Sequence, residues 1–244
     1  MTEPAKLANV IAHRGDSGNA PENTVASMIK AAEAGARCVE IDASISSDNV
    51  AFVHHDDTLE RCTNGQGYLC AHSAAELDKL SASNGMSAFD KEPLPRLSAV
   101  ISTLSQLQLG LNLEIKPTPG LEQATATAVC EVIRSNWPSD LPLVLSSFSK
   151  DALAIARDTL PGAARALIVC AVPEDWQHQT QLLQCSNLHT AAPLLNEEQA
   201  KGIVNAGLGL YCFTVNDAAE AQTLFDMGVH GVFSDYPGKL IQAL

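Results

Sequence analysis

LNLEIKPTPGLEQATATAVCEVIRSNWPSDLPLVLSS, residues 111–147, is the stretch whose reading decides the fold. Leu111–Lys116 alternates apolar and polar side chains with the period of a strand, and Leu143–Ser147 is a short apolar run of strand length. Between them Leu121–Trp137 carries apolar residues at helical spacing. Strand, helix, strand with short connections is a parallel crossover unit. The same alternation continues in both directions. Further short strands read at Val10–Ala12, Cys38–Asp42, Ala51–His54, Ala166–Cys170, Asn187–Thr190, Leu210–Thr214 and Gly231–Ser234. Helical segments read at Thr24–Glu33, Lys150–Thr159, Glu174–Leu183, Glu197–Ala206, Asp217–Met227 and Pro237–Ala243. About eight such units in 244 residues, with no Gly-, Ser- or Pro-rich linker, predict one closed (β/α)₈ barrel over residues 1–244 rather than two domains. Residues 58–95 depart from the alternation. Their turn residues (Thr63-Asn64-Gly65, Asn84-Gly85, Pro93, Pro95) and one short helical signal around Ser73–Leu80 predict a small inserted segment on the barrel rim.

Composition narrows the partners. A formal charge of −13 without any Lys/Arg run argues against nucleic acid. The longest apolar run, Ala166–Val172, is seven residues, far short of the roughly 18 that a transmembrane helix needs. The opening MTEPAKLANV lacks the basic-then-apolar pattern of a secretory signal, and seven scattered cysteines without a CxxC read as reduced thiols. Both features point to the cytoplasm.

Several strands run into charged residues at the end where a barrel carries its chemistry. Val10-Ile11-Ala12 leads into His13-Arg14-Gly15, and the second strand contains Glu40-Ile41-Asp42. Another contains Glu114-Ile115-Lys116. A spacing of two puts Glu40 and Asp42 on one face of their strand, and likewise Glu114 and Lys116. Three carboxylates aimed into one barrel mouth repel each other unless a cation shares them, and their oxygens suit a hard dication such as Mg²⁺, Ca²⁺ or Mn²⁺. His13 and one member of the His54-His55 pair add groups that titrate near neutrality; alternation alone does not choose between His54 and His55. Arg14 and Lys116 are the cations that a phosphate diester requires, or the ion-pair partners of those acids. Pro21-Glu22-Asn23-Thr24 reads as a helix start, with Asn23 or Thr24 as cap. His189 and the other isolated histidines read as packed residues. No GxxxxGK[ST], GxGxxG or GxSxG motif occurs.

Taken in order, His13-Arg14-Gly15, Pro21-Glu22-Asn23-Thr24, Glu40-Ile41-Asp42, His55-Asp56-Asp57-Thr58-Leu59-Glu60-Arg61 and Glu114-Ile115-Lys116-Pro117 resemble the glycerophosphodiester phosphodiesterase family. Weaker agreement continues through Ser146-Ser147-Phe148, Thr214-Val215-Asn216 and Ser234-Asp235-Tyr236-Pro237, so the resemblance covers nearly the whole chain. It implies a (β/α)₈ barrel that hydrolyses glycerophosphodiesters, such as glycerophosphocholine or glycerophosphoethanolamine, to sn-glycerol 3-phosphate and an alcohol. It also implies one divalent cation held by Glu40, Asp42 and Glu114, His13 and His55 as acid/base pair, and Arg14, Lys116 and Glu22 near the phosphate. Two positions depart from the family pattern: Cys62 replaces a common hydroxyl residue, and Phe213 stands where Trp is frequent. A metal-dependent barrel lyase or aldolase would use the same acids, but it leaves the His13-Arg14 pair and His55 less well used.

Overall fold

The computed structural model describes residues 6–244; Met1–Ala5, the start of the stretch read above for a secretory signal, lie outside it. Eight parallel strands close into a barrel: β1 (Val10–Ala12), β2 (Cys38–Ile45), β4 (Gly110–Ile115), β5 (Leu143–Ser147), β6 (Ala164–Val169), β7 (Asn187–Ala191), β8 (Gly209–Phe213) and β9 (Gly231–Ser234). Closure is made by β1, which pairs with β9 through Val10–Val232 and with β2 through Ala12–Val39. Around the barrel run α1 (Val25–Glu33), α3 (Leu97–Leu107), α4 (Glu122–Asn136), α5 (Lys150–Thr159), α6 (Trp176–Leu182), α7 (Glu197–Asn205), α8 (Ala218–Asp226) and α9 (Pro237–Ala243).

The period of two divides each strand between two cores. On β2, Val39, Ile41 and Ala43 face outward and pack with Met28, Ile101 and Val129 of the surrounding helices. The barrel interior is filled by Ile11, Cys38, Val144, Ala166, Tyr211 and Phe233. Because β2 spends only alternate residues on the outer core, Glu40 and Asp42 are left pointing inward.

Two elements differ from the sequence reading. Ala51–Val53 is indeed a strand, β3, but it runs antiparallel to β2 (Ala43–Val53, Ile45–Ala51) and stays outside the barrel. Its direction follows from the short Ser46–Val50 turn, which leaves no length for a crossover. The helix α3 is absent from the segments read above, although Leu97, Val100, Ile101 and Leu104 bury themselves at helical spacing. Between β3 and α3, residues 54–96 hold a four-residue helix, α2 (Ala74–Leu77), and a small apolar centre of Leu59, Leu69, Leu77 and Leu94 that packs on Phe52 of β3. Arg96 clamps this segment with a two-pronged bond to Asp78 at 2.8 and 2.6 Å.

Candidate active site

Glu40, Asp42 and Glu114 each bring a carboxylate oxygen into one cluster, all within 4.8 Å of one another. Register explains the meeting: Asp42 on β2 stands beside Glu114 on β4. Glu40 and Asp42 are buried and Glu114 nearly so. The electrostatics are correspondingly strained. Burial, then the charges of Asp42 and Glu114, push the Glu40 carboxyl well above its usual range. Burial and Asp42 push Glu114 up to about 8, against the opposing pull of Lys116. Three clustered hard oxygens that resist ionisation together are the donor set a divalent cation fits, because the cation supplies the missing charge and replaces the lost water.

Asp42 is positioned by Asn23, whose Nδ2 donates to Asp42 Oδ2 at 2.8 Å while Asn23 Oδ1 accepts from the Asp42 amide at 3.1 Å. Asn23 is therefore no helix cap; Thr24 takes that role, its hydroxyl accepting from Ser27 N. The loop that presents both residues is tight. Arg14, Gly15 and Asn23 all lie at positive φ, and a Cβ on Gly15 would fall 2.5 Å from Ser27 Oγ. Asn23→Ala should lower stability in chelator by about 2–4 kcal/mol, since it strands the Asp42 amide and puts alanine in a left-handed conformation. Urea unfolding checks this; a loss under about 0.5 kcal/mol would show that Asp42 needs no clamp.

Both histidines are aimed by carboxylates. His13 Nδ1 meets Asp235 Oδ1 at 2.7 Å, and Asp235 is itself held by Asn216 Nδ2 at 2.8 Å and Ser17 Oγ at 3.1 Å. Burial would raise the Asp235 carboxyl, but the bonds from His13 and Asn216 prevail and hold it down at about 2. His55 Nδ1 meets Asp56 Oδ1 at 2.6 Å, and Lys116 Nζ donates to His55 Nε2 at 3.2 Å. Burial lowers the pKa of the His55 imidazole, with Asp42 opposing. His54, by contrast, is buried with Nε2 against the Thr58 carbonyl at 2.9 Å, outside the cavity. The choice that alternation left open thus falls to His55.

The cations divide between the acids. Arg14 donates its backbone N–H to Glu40 Oε2 at 2.9 Å and sets Nε 3.4 Å from Asp42 Oδ2. Lys116 Nζ lies 3.6 Å from Glu114 Oε1. Glu22 stands behind Arg14 rather than in the cavity, gripping Arg14 Nη1 at 2.7 Å and Arg61 at 2.6 and 2.9 Å. Burial would raise the Glu22 carboxyl, but the two guanidiniums hold it at about 2. Arg61 also forks onto Asp56 at 2.6 and 2.8 Å, so one chain of contacts joins His55, Asp56, Arg61, Glu22 and Arg14.

Asp235, Asp56, Arg61 and Asn112 were not singled out from the sequence as site residues. Asp235 directly follows β9, the same strand-end signal that marks His13. Asn112 precedes Glu114 by two on β4, so alternation places both on one face. A cavity of about 190 Å³ joins His13, Arg14, Glu40, His55 and Glu114, and Phe148 and Phe213 stand in its wall, ring centroids 6.1 Å apart. Phe213, the departure from the family's Trp, thus faces the space a substrate would enter.

A barrel with buried acids, oriented histidines and two cations at its strand ends defines an enzyme of the (β/α)₈ class that handles an anionic substrate. Residues 13–239 match the model of the glycerophosphoryl diester phosphodiesterase family. The chain is 31% identical over 238 residues to a glycerophosphodiester phosphodiesterase of Caldanaerobacter subterraneus subsp. tengcongensis, covering 95% of this chain and 96% of that one. A second relative of that name, from Bacillus subtilis, is 28% identical, with 97% and 86% covered. An Oleispira antarctica phosphodiesterase solved in complex with the product sn-glycerol-3-phosphate superposes with a TM-score of 0.95 at 42% identity, covering 97% and 96%. The chain belongs to the glycerophosphodiester phosphodiesterase family and is a phosphodiester hydrolase. Among the described residues no helix is long and apolar enough to cross a membrane.

Proposed function

We propose that the protein hydrolyses glycerophosphodiesters such as glycerophosphocholine and glycerophosphoethanolamine to sn-glycerol 3-phosphate and the alcohol, with His13 and His55 as acid/base pair. The observation that carries this reading is the pairing itself: two histidines, each with Nδ1 on a carboxylate, lining the cavity that holds the acid cluster. Glu40, Asp42 and Glu114 would hold one divalent cation, Mg²⁺ or Ca²⁺ with Mn²⁺ also suited. Bound there, such an ion supplies Lewis-acid polarisation of the phosphoryl oxygens and lowers the pKa of a nearby hydroxyl.

The chain's own groups perform the proton transfers. One histidine takes the proton of the glycerol 2-hydroxyl as its oxygen attacks phosphorus, and the other protonates the departing alcohol. Water then opens the resulting cyclic phosphate with the two roles exchanged. Arg14 and Lys116 bind the phosphate oxygens and offset their growing charge, while Glu22 and Arg61 fix Arg14 and Asp56 in place. Residues 58–95 are an insertion within a single barrel domain spanning 1–244, a reading supported by their own small apolar centre. The seven scattered cysteines favour the cytoplasm as its compartment.

Release of sn-glycerol 3-phosphate from both diesters, measured with EDTA and after restoring Mg²⁺, Ca²⁺ or Mn²⁺, tests the reading. Turnover should vanish in chelator and return with at least one ion. Full activity in EDTA would remove the dication from the mechanism.

A further inference from the structure

Below the acids the same cavity reaches two polar side chains that the proposed chemistry does not use. His189 sits within β7, in register with Ile168 on β6 and Tyr211 on β8, and is 1% exposed. Its ring lies 5.1 Å from that of Phe233 and 5.4 Å from that of Tyr211, and its Nε2 has no hydrogen-bond partner among the described residues. Asn112 on β4 is also 1% exposed; its Nδ2 donates to Ser146 Oγ at 2.9 Å, and its Oδ1 has no partner among the described residues. Both residues line the cavity.

An unpaired buried polar atom costs about 1–3 kcal/mol, and two such atoms on side chains that line one cavity point to a ligand that satisfies both. Burial drives the His189 imidazole down to about 3, so it remains neutral and has no part as a proton carrier near neutrality. With its proton on Nε2, the neutral ring offers a donor and Asn112 Oδ1 an acceptor to the same cavity, which suits a hydroxyl that accepts one hydrogen bond and donates one. Of the two glycerol hydroxyls, the 2-hydroxyl is consumed by the proposed attack on phosphorus, which leaves the terminal one.

We infer that His189 Nε2 and Asn112 Oδ1 receive the terminal hydroxyl of the substrate's glycerol, so that the floor of the pocket selects glycerol esters over esters lacking that hydroxyl. The assignment rests on the mechanism proposed above. His189 is thus a specificity residue, and its neighbours Phe233 and Tyr211 keep the ring upright and dry.

Three chromogenic diesters separate the possibilities: glyceryl, 2-hydroxypropyl and ethyl p-nitrophenyl phosphate. The first two share the 2-hydroxyl and differ only in the terminal one. The wild-type enzyme should prefer the glyceryl ester by about 100-fold in kcat/KM. His189→Phe should lose that preference by falling on the glyceryl ester alone, and His189→Gln, which keeps a donor, should retain part of it. Equal falls on both esters would mark His189 as merely structural, and no fall on either, or no wild-type preference, would overturn the inference. If His189→Phe does not fold, the His189→Gln ratio carries the comparison. The ethyl ester reports separately on the mechanism: its turnover at the hydroxypropyl rate would sink the 2-hydroxyl nucleophile while leaving the glyceryl-to-hydroxypropyl ratio readable.

Discussion

Replacing His13 or His55 by Gln lowers kcat by about 10²- to 10⁴-fold, the range general acid/base catalysis supplies, while the protein stays folded. Neither side chain is core: they are 17% and 30% exposed, and each makes its contacts at the barrel mouth. The double variant should lose little more than the worse single variant, because the two groups act in one proton relay and their effects are not additive. Wild-type kcat/KM should follow a bell in pH, rising as the base loses its proton and falling as the acid loses its own. Burial lowers the His55 pKa, so the limb that reports this histidine lies below the ordinary imidazole range. His55→Gln should abolish that limb and leave the other. A kcat within about tenfold of wild type for either variant would take that histidine out of the chemistry.

Glu40→Gln should remove activity and at the same time stabilise the chelated protein. In the absence of a cation, burial and the neighbouring acids hold Glu40 and Glu114 back from ionising. Gln keeps the shape and an oxygen for the Arg14 amide and removes the cost of keeping a buried carboxyl protonated at neutral pH. The gain in EDTA at neutral pH should be on the order of 2 kcal/mol, read as a higher midpoint in urea. Glu114 titrates at about 8 in the folded protein, above its usual 4.5, so the folded state binds the extra proton. The stability it contributes is complete below about pH 4.5 and is lost as pH climbs through about 8, which makes the chelated wild type weaken across that window. Added dication should reverse the order: at 100 times Kd it stabilises the wild type by about 2.7 kcal/mol and the variant far less. A Glu40→Gln protein less stable than wild type in EDTA would mean that Arg14 compensates the cluster on its own.

The candidate site was legible where chemistry follows local geometry. Glu40 with Asp42, and Glu114 with Lys116, could be placed on shared faces from a spacing of two, and the charged residues after β1 and within β2 and β4 marked the candidate mouth. The helices other than α3 followed from apolar spacing. What stayed hidden involves partners far apart in the chain. The Asp235 carboxylate that aims His13 comes from 222 residues away, and the Arg61 guanidinium that ties Glu22 to Asp56 reaches across 39 residues to Glu22. His189 read as an isolated packed histidine, because its orphaned nitrogen has meaning only beside a cavity built from other strands. Alternation alone left His54 and His55 open, and only the ordered motif pointed to His55; the reversed direction of β3 likewise depends on which neighbour its backbone meets.

By itself, then, the sequence determined the alternation of strands and helices, the inward acids and the family resemblance, all of which depend on residues two to four apart or on ordered motifs. The tertiary structure alone decided what orients each histidine and what lies on the cavity floor, and it put His55 rather than His54 on the cavity wall, as the resemblance implies. Those contacts arise from the registers of strand pairs built from distant segments, β1 on β9, β3 on β2 and β7 between β6 and β8 among them, a long-range condition that no local propensity encodes.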